Sequence, residues 1–568
     1  MSLFLFSILL LNPVDSKIEK VFSYLPEDAA VVLYAASPAD VYEKMMRSSF
    51  GRMIADPKMA EFWGPTLLGD PAKMDQKLLE EIGLNLDQVK NLFKGPAAFS
   101  VSKLDFEGGA EPEMVMVFQV TGDSTNLQKV LDKGVGDPTD SESQIVLENQ
   151  EFQGVEIHLR YTVTESGKDL NQVWALHKDM LILGPTLEAV QNAIGRGKGS
   201  LPSTLNSQAQ FKKANVVLSE KDLFLYIPFG QIVKMIENQP AEEGKIPASV
   251  VTNLLGLSYI EGFVITMDFE NAFTEAQLGV LYSENKGVVS LLTFTPKPVN
   301  QNRIIPQHAV FFNSSNFDMT LFWTRLENLV YSFNPNFQEM INQQINNMVA
   351  SSGETRELAI RKNLLENLGD EWLSYTTVLA ETGTEGPELG SVTIVNHKNA
   401  AQIEQGLDDL MVLVRGAINS FGALPVQVEK MPDMAQPTYR IAFAMDGENI
   451  SESYLAVGEK YLVFAGPNIQ VLTEALGQIN QPGKSAWEKE GVQPVLREFT
   501  GKPVALGYGK LTAGLLNGFV KAMALTGEVD TSTLPDLKYL SGLFGPITYA
   551  VYSESNHLSL VLRVFNAP

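Results

Sequence analysis

The feature that most constrains this chain is a long-range internal repeat. The stretch "KDMLILGPTLEAVQNAIG" from Lys178 aligns without gaps on "KYLVFAGPNIQVLTEALG" from Lys460, so that Pro185 falls on Pro467, 282 positions later. Apolar Leu187, Val190 and Ile194 recur as Ile469, Leu472 and Leu476, the i, i+3, i+7 spacing that lines one face of a helix. Three further pairs follow in the same order. "LPEDAAVVLY" from Leu25 matches "IPQHAVFFNS" from Ile305, and "EMVMVFQVTGDSTNLQKVLD" from Glu113 matches "ELGSVTIVNHKNAAQIEQGLDD" from Glu388. "FVITMDFENAFTEAQLGV" from Phe263 matches "ITYAVYSESNHLSLVLRV" from Ile547. Offsets that drift by a few residues are what loop insertions produce. The repeat predicts two related units, 17–297 and 298–568, joined by an extended linker near Thr295–Arg303, "TPKPVNQNR". Length agrees, because a single core stops growing at about 250–300 residues and this chain has 568.

Within one unit the patterning predicts strands near Ala30–Tyr34, Ala97–Val101, Met114–Val120, Val155–Tyr161, Val173–Leu176 and Met180–Leu183. Helices are expected near Ala39–Met46, at Asn126–Leu131 and after Gly184-Pro185, then a strand and helix across Leu223–Ile236 and a closing hairpin at Phe263–Val280. Runs of strands punctuated by single helices point to an α+β fold, with mainly antiparallel sheet and helices packed on one face. In the second unit "NFQEMINQQINNMV" places Phe337, Met340, Ile341, Ile345 and Met348 on one side of a helix. Its polar side lacks Lys and Arg, so a core-facing role is expected over partner or membrane docking. Met45, Met46 and Met53 are expected to pack as core.

Charge excludes one class of partner. There are 67 Asp and Glu against 43 Lys and Arg, a formal net charge of −24, which repels phosphate backbones. The short basic clusters Arg196/Lys198 and Lys212/Lys213 lack interleaved aromatics, so nucleic acid is not expected as a partner. The chain has no cysteine, which removes disulfides, thiolate metal sites and cysteine nucleophiles.

The N-terminus "LFLFSILLL", Leu3–Leu11, is too short to span a bilayer and is followed by Asn12, Pro13 and "VDSK". It reads as a signal peptide, residues 1–16, cut between Ser16 and Lys17, although no Lys or Arg precedes the apolar run. The competing reading is a buried N-terminal element of a cytoplasmic protein. No other run is long and apolar enough to suggest a transmembrane segment in the mature chain.

Candidate chemistry is sparse. Gly483-Lys484-Ser485 in "GQINQPGKSAW" imitates the end of a phosphate-binding loop, but it follows a helix instead of a strand, and its upstream glycine, Gly477, is misplaced. Its counterpart is "GRGKGSLPS", Gly195–Ser203. Both are read as helix C-terminal turns, with glycine at positive φ and lysine at the carbonyl end. The true strand-to-helix turns are Gly184-Pro185 and Gly466-Pro467, where proline in the first helical turn presets the backbone. The five histidines, His158, His177, His308, His397 and His557, show no metal-ligand spacing. No G-x-S-x-G elbow occurs. The acidic loops Asp105–Glu113, Asp137–Ser143 and Glu381–Glu388 lack the EF-hand register and are read as solvated turns. No catalytic, metal or cofactor residue is assigned.

"LPEDAAVVLYAASPADVYEKMMRSSFGRMIADPKMAEFW" from Leu25 and "WALHKDMLILGPTLEAVQNAIGRGKGSLPSTLNSQAQF" from Trp174 resemble a family of uncharacterised bacterial proteins catalogued as domain of unknown function 3352. The second unit departs from the pattern, with Gln307-His308 for Glu27-Asp28 and Ser485-Ala486 for Ser200-Leu201. The resemblance implies an envelope location, periplasmic or secreted, and brings no catalytic residues. The expected function is a non-enzymatic module that binds an envelope protein or polymer. The alternatives are a carrier of a small apolar ligand or lipid, and an enzyme with a dispersed active site.

Overall fold

A computed structural model describes residues 16–59, 71–102, 112–133, 144–164, 167–218, 221–237, 247–292, 294–382, 386–421, 426–445, 448–512, 516 and 534–567. The chain divides into two compact units, one formed by residues up to Ser249 with Ile260–Ser283 and the other by Val250–Tyr259 with Glu284–Pro568.

The strands of the first unit are β1 (Val31–Ala35), β2 (Ala97–Ser102), β3 (Glu113–Gln119), β4 (Gln144–Phe152), β5 (Val155–Thr164), β6 (Gly167–His177), β7 (Met180–Gly184), β8 (Leu223–Ile227), β9 (Ile260–Phe269) and β10 (Phe273–Tyr282). They pair antiparallel throughout, in the order β10-β9-β8-β1-β2-β3-β7-β6-β5-β4. Alternation explains the core. Val32 and Tyr34 of β1, Val115 and Val117 of β3 and Phe224 and Tyr226 of β8 point to one face, where helices Ser16–Phe22, Leu187–Gly197 and Ala209–Leu218 close over them. Phe22 meets Phe211 edge-on at 4.9 Å, and Tyr34 stacks on Phe224 at 4.8 Å.

The strands of the second unit are β11 (Phe311–Asn316), β12 (Leu368–Thr382), β13 (Gly386–His397), β14 (Val426–Met431), β15 (Thr438–Met445), β16 (Glu448–Val457), β17 (Tyr461–Gly466), β18 (Ala505–Lys510), β19 (Phe544–Ser553) and β20 (His557–Asn566). Their antiparallel order is β20-β19-β18-β11-β12-β13-β17-β16-β15-β14. Phe312, Trp487 and Tyr508 anchor its principal core, with Phe312 edge-on to Trp487 at 4.8 Å.

The helices do not keep to one face, which corrects the expectation. In the first unit Leu92, Leu127 and Leu131 pack on Phe118, Trp174 and Leu181, side chains that alternate with the principal core. In the second, Ile403 and Leu407 of helix Ala400–Phe421 pack on Val395 and Leu368 opposite Ile394 and Leu373. Both sheet faces are apolar, so both attract cover.

The segment Thr295–Arg303 is not a free linker. Asn316 Nδ2 donates to the Lys297 carbonyl at 2.5 Å, Ser314 Oγ to the Asn300 carbonyl at 2.9 Å, and Asn300 Nδ2 to Glu371 at 3.0 Å. Helix Phe337–Ser351 also departs from the core-facing expectation. Val349 is buried but Met340 is 57% exposed and Ile341 is exposed. Near its C-terminal end it approaches helix Ala400–Phe421 closely, where a Cβ on Gly416 would stand 1.9 Å from the Met348 carbonyl oxygen. Met45, Met46 and Met53 are half-buried.

Candidate functional site

The turns singled out by the sequence are structural, with changed details. Helix Leu187–Gly197 is capped by Thr186, whose side chain accepts from Ala189 N, and helix Ile469–Asn480 by Asn468, which accepts from Gln470 N and Val471 N. Pro185 and Pro467 therefore precede the cap and stand outside the first helical turn. Gly199 takes φ +74° after the first of these helices, whereas Gly483 has no such conformation. Lys198 Nζ donates to the Gln153 carbonyl.

Gly483-Lys484-Ser485 serves backbone pairing. Ser485 bridges Pro306, Ala486 N donates to Ile305 O at 3.0 Å, and Gln307 N donates to Lys484 O at 3.0 Å. The first unit makes the same clamp between Pro26 and Thr204, with Leu205 N donating to Leu25 O at 3.1 Å. Ser485-Ala486 thus corresponds to Thr204-Leu205 and not to Ser200-Leu201. The signal-peptide residues before Ser16 lie outside the described residues, and Ser16 and Lys17 open helix Ser16–Phe22.

The histidines are dispersed. His158 stacks on Trp174 at 5.3 Å, His397 Nε2 meets the Gly458 carbonyl at 3.0 Å, and His557 lies 3.7 Å from Glu554. His177 shares a buried 2.9 Å hydrogen bond with Tyr24. Burial, helped by Lys178 and Lys198, lowers the His177 pKa, and burial pushes the Tyr24 hydroxyl up to about 12. No cluster able to hold a metal occurs among the described residues. Asp137–Ser143 and most of Asp105–Glu113 lie outside those residues, as does part of Glu381–Glu388.

One polar cluster is perturbed. Asp222 accepts from Lys44 Nζ at 2.7 Å and from Phe269 N at 2.9 Å, beside Asp268, while Lys221 binds Glu275 at 2.7 Å and Asp268 at 3.5 Å. Burial first, then the hydrogen bond with Asp222, raises the Asp268 carboxyl to about 6 against the pull of Lys221. A charged groove in the second unit, lined by Arg356, Asp408, Arg415, Glu429, Lys430 and Tyr439, is largely neutralised from within. Arg356 binds Asp409 at 2.5 Å and Lys430 binds Glu404 at 2.7 Å.

Among the described residues, the outer face of the first sheet departs from this self-satisfaction. Cross-strand register sets Leu278, Ile265, Leu225, Leu33, Phe99, Met116 and Leu183 side by side across β10, β9, β8, β1, β2, β3 and β7. Leu33 is 45% exposed, Met116 44% and Leu278 44%. Apolar side chains scattered singly over a surface need no explanation, whereas these form a contiguous row. At the β7 end the row enters a cavity of about 330 Å³ lined by Phe99, Met114, Met116 and Leu183 with Arg160, Asn171 and Gln172. Arg160 is only 4% exposed. Directly across from Leu183, Trp174 keeps its Nε1 buried without a hydrogen-bond partner.

The matching row of the second unit reads Leu562, Tyr549, Gly507, Asn313, Ser374, Thr393 and Phe464. Asn313 Nδ2 donates to Ser374 Oγ. The Tyr549 ring lies over Gly507, where a Cβ would meet it at 2.1 Å. This row is polar at its centre and roofed by its own ring. Sequence reading missed the contrast, although Leu33 against Asn313 and Leu225 against Gly507 signal it.

No family model matches the chain. No curated protein matches it. Among solved structures, crystal form I of TP0453 is similar at 9% identity over 46% of this chain and 79% of that chain, with a TM-score of 0.22. Crystal form III gives 9% identity over 50% and 88%, with a TM-score of 0.23. Similarity at this level carries no functional argument. Among the described residues, no helix is long and apolar enough to cross a membrane.

Proposed function

We propose that the protein is a non-enzymatic binding module of the cell envelope, made of two duplicated units, in which the first unit holds the partner on its outer sheet face. The observation that carries this is the exposed apolar row centred on Leu33, Phe99 and Met116, against the closed row centred on Asn313 and Ser374. Duplication is supported by the matching strand orders and by the paired Pro26–Thr204 and Pro306–Ser485 bridges. Once copied, one unit was free to open its face while the other filled it. Export through a signal peptide and membership of the family catalogued as domain of unknown function 3352 complete the proposal. Support for export comes from the nine-residue apolar run Leu3–Leu11.

The test is a photo-crosslinking phenylalanine analogue placed at Met116 or at Thr393 in the full chain expressed in its cells. Adducts at Met116 and none at Thr393 are expected. Equal labelling, or none at Met116, contradicts the proposal.

A further inference from the structure

The geometry points to a long-chain carboxylate as the occupant of the open row, with its head beside Arg160 and its tail running from β3 toward β8; this rests on the row being the binding face. Three observations combine. First, the polar groups lie at one end: Arg160, Asn171 and Gln172 border the cavity whose remaining wall includes Phe99, Met114, Met116 and Leu183. Beyond Met116 the row continues through Phe99, Leu33, Leu225, Ile265 and Leu278, with no polar side chain in it.

Second, the length suits one chain. Steps of about 4.8 Å between neighbouring strands carry the row about 24 Å from β3 to β10. One acyl chain occupies about 15 Å of the membrane, half of the roughly 30 Å hydrocarbon core. A single tail therefore covers about three of these steps, from β3 over β2 and β1 to β8.

Third, the charge at the head end is of the right sign and unusual in its place. The chain carries a net charge of −24, yet the charged residue among the described residues lining this cavity is a nearly buried arginine. Arg160 also has interactions within the protein. A guanidinium has several N–H donors in a planar fork, which lets it keep an internal partner and still meet a carboxylate oxygen. Asn171 donates to Thr162 Oγ1 and lies with Gln172 at the same end, adding amide dipoles. A polypeptide partner would bring backbone polar groups over the apolar row.

The test is displacement of a dansyl-labelled fatty acid from the purified full chain by palmitate, palmityl alcohol and methyl palmitate, each below its micelle concentration. Palmitate is expected to bind at least about tenfold tighter than the other two, because only it offers a charge-assisted hydrogen bond. Met116→Glu should weaken all three, and Arg160→Gln should abolish the preference for palmitate while sparing the alcohol. The head-group series on the unaltered protein decides the matter even if Arg160→Gln does not fold. Equal binding of the three probes, or binding to anionic phospholipid vesicles without binding of palmitate, overturns the inference. Protein adducts from the Met116 crosslinker without palmitate binding overturn it too, while leaving the docking face intact.

Discussion

Leu33 on β1 stands directly opposite Phe99 on β2, and the pair lies at the centre of an apolar row on the outer face of the first sheet. The same two strand positions in the second unit hold Asn313 and Ser374, which hydrogen-bond to each other. One pair of positions thus has opposite chemistry in the two units. Burial in a fold is satisfied locally by Asn313 and Ser374, whereas Leu33 and Phe99 leave apolar surface in water, a cost that a ligand can relieve.

The closed row depends on Gly507. Gly507→Ala would push a methyl group into the Tyr549 ring, where the space is 2.1 Å, and should destabilise the second unit by about 1–3 kcal/mol. Leu33→Ser, at an exposed position, should change stability by no more than about 0.5 kcal/mol. Urea unfolding of both variants checks the contrast.

Asp268 should make stability depend on pH. Its carboxyl is raised from an ordinary 3.8 to about 6, so the folded state holds the proton more tightly than the unfolded chain. The stabilising contribution is complete below about pH 4 and is lost as pH rises through 6. Asp268→Asn escapes that loss. The melting temperature of the variant relative to the unaltered protein should therefore rise between pH 4 and pH 7, as thermal melts across that range will show.

Asp409 is a structural carboxylate. It is buried and accepts from Arg356 at 2.5 Å, Ala359 N at 3.0 Å, Gln405 at 3.2 Å and Asn363 at 3.3 Å. Asp409→Ala leaves those donors without their acceptor and should cost about 3 kcal/mol in denaturant unfolding, within the range for breaking a buried pair.

Export has its own signature. N-terminal sequencing of the mature protein should begin at or next to Lys17, and an intact Met1 in the cytoplasm would remove the envelope from the account.

The regular elements were legible where burial alternates cleanly. Val31–Ala35, Ala97–Ser102 and Met180–Gly184 lie within a residue of where the patterning predicts them, because each has a strongly apolar pattern. Strand β4, "QIVLENQEF", was not, since as the outermost strand of its sheet it is exposed along most of its length and carries no burial period. The helix at Ser124–Lys133 was expected, but its place on the outer face was missed. Phe118 and Leu181 are apolar next to core Val117 and Ile182, so the strands read as generally hydrophobic and do not say which face is covered. The candidate site was hidden for a related reason. Leu33 looks like any strand leucine, and only register shows that six other apolar side chains line up with it.

The most direct measurement of the central claim is the fluorescence of a naphthalene-sulfonate dye with the folded protein and two double variants. Leu33→Glu with Met116→Glu should remove most of the dye signal at an unchanged melting temperature, whereas Ser374→Glu with Thr393→Glu should leave the dye signal in place. A signal unaffected by charges at Leu33 and Met116 would contradict an open apolar binding face on the first unit.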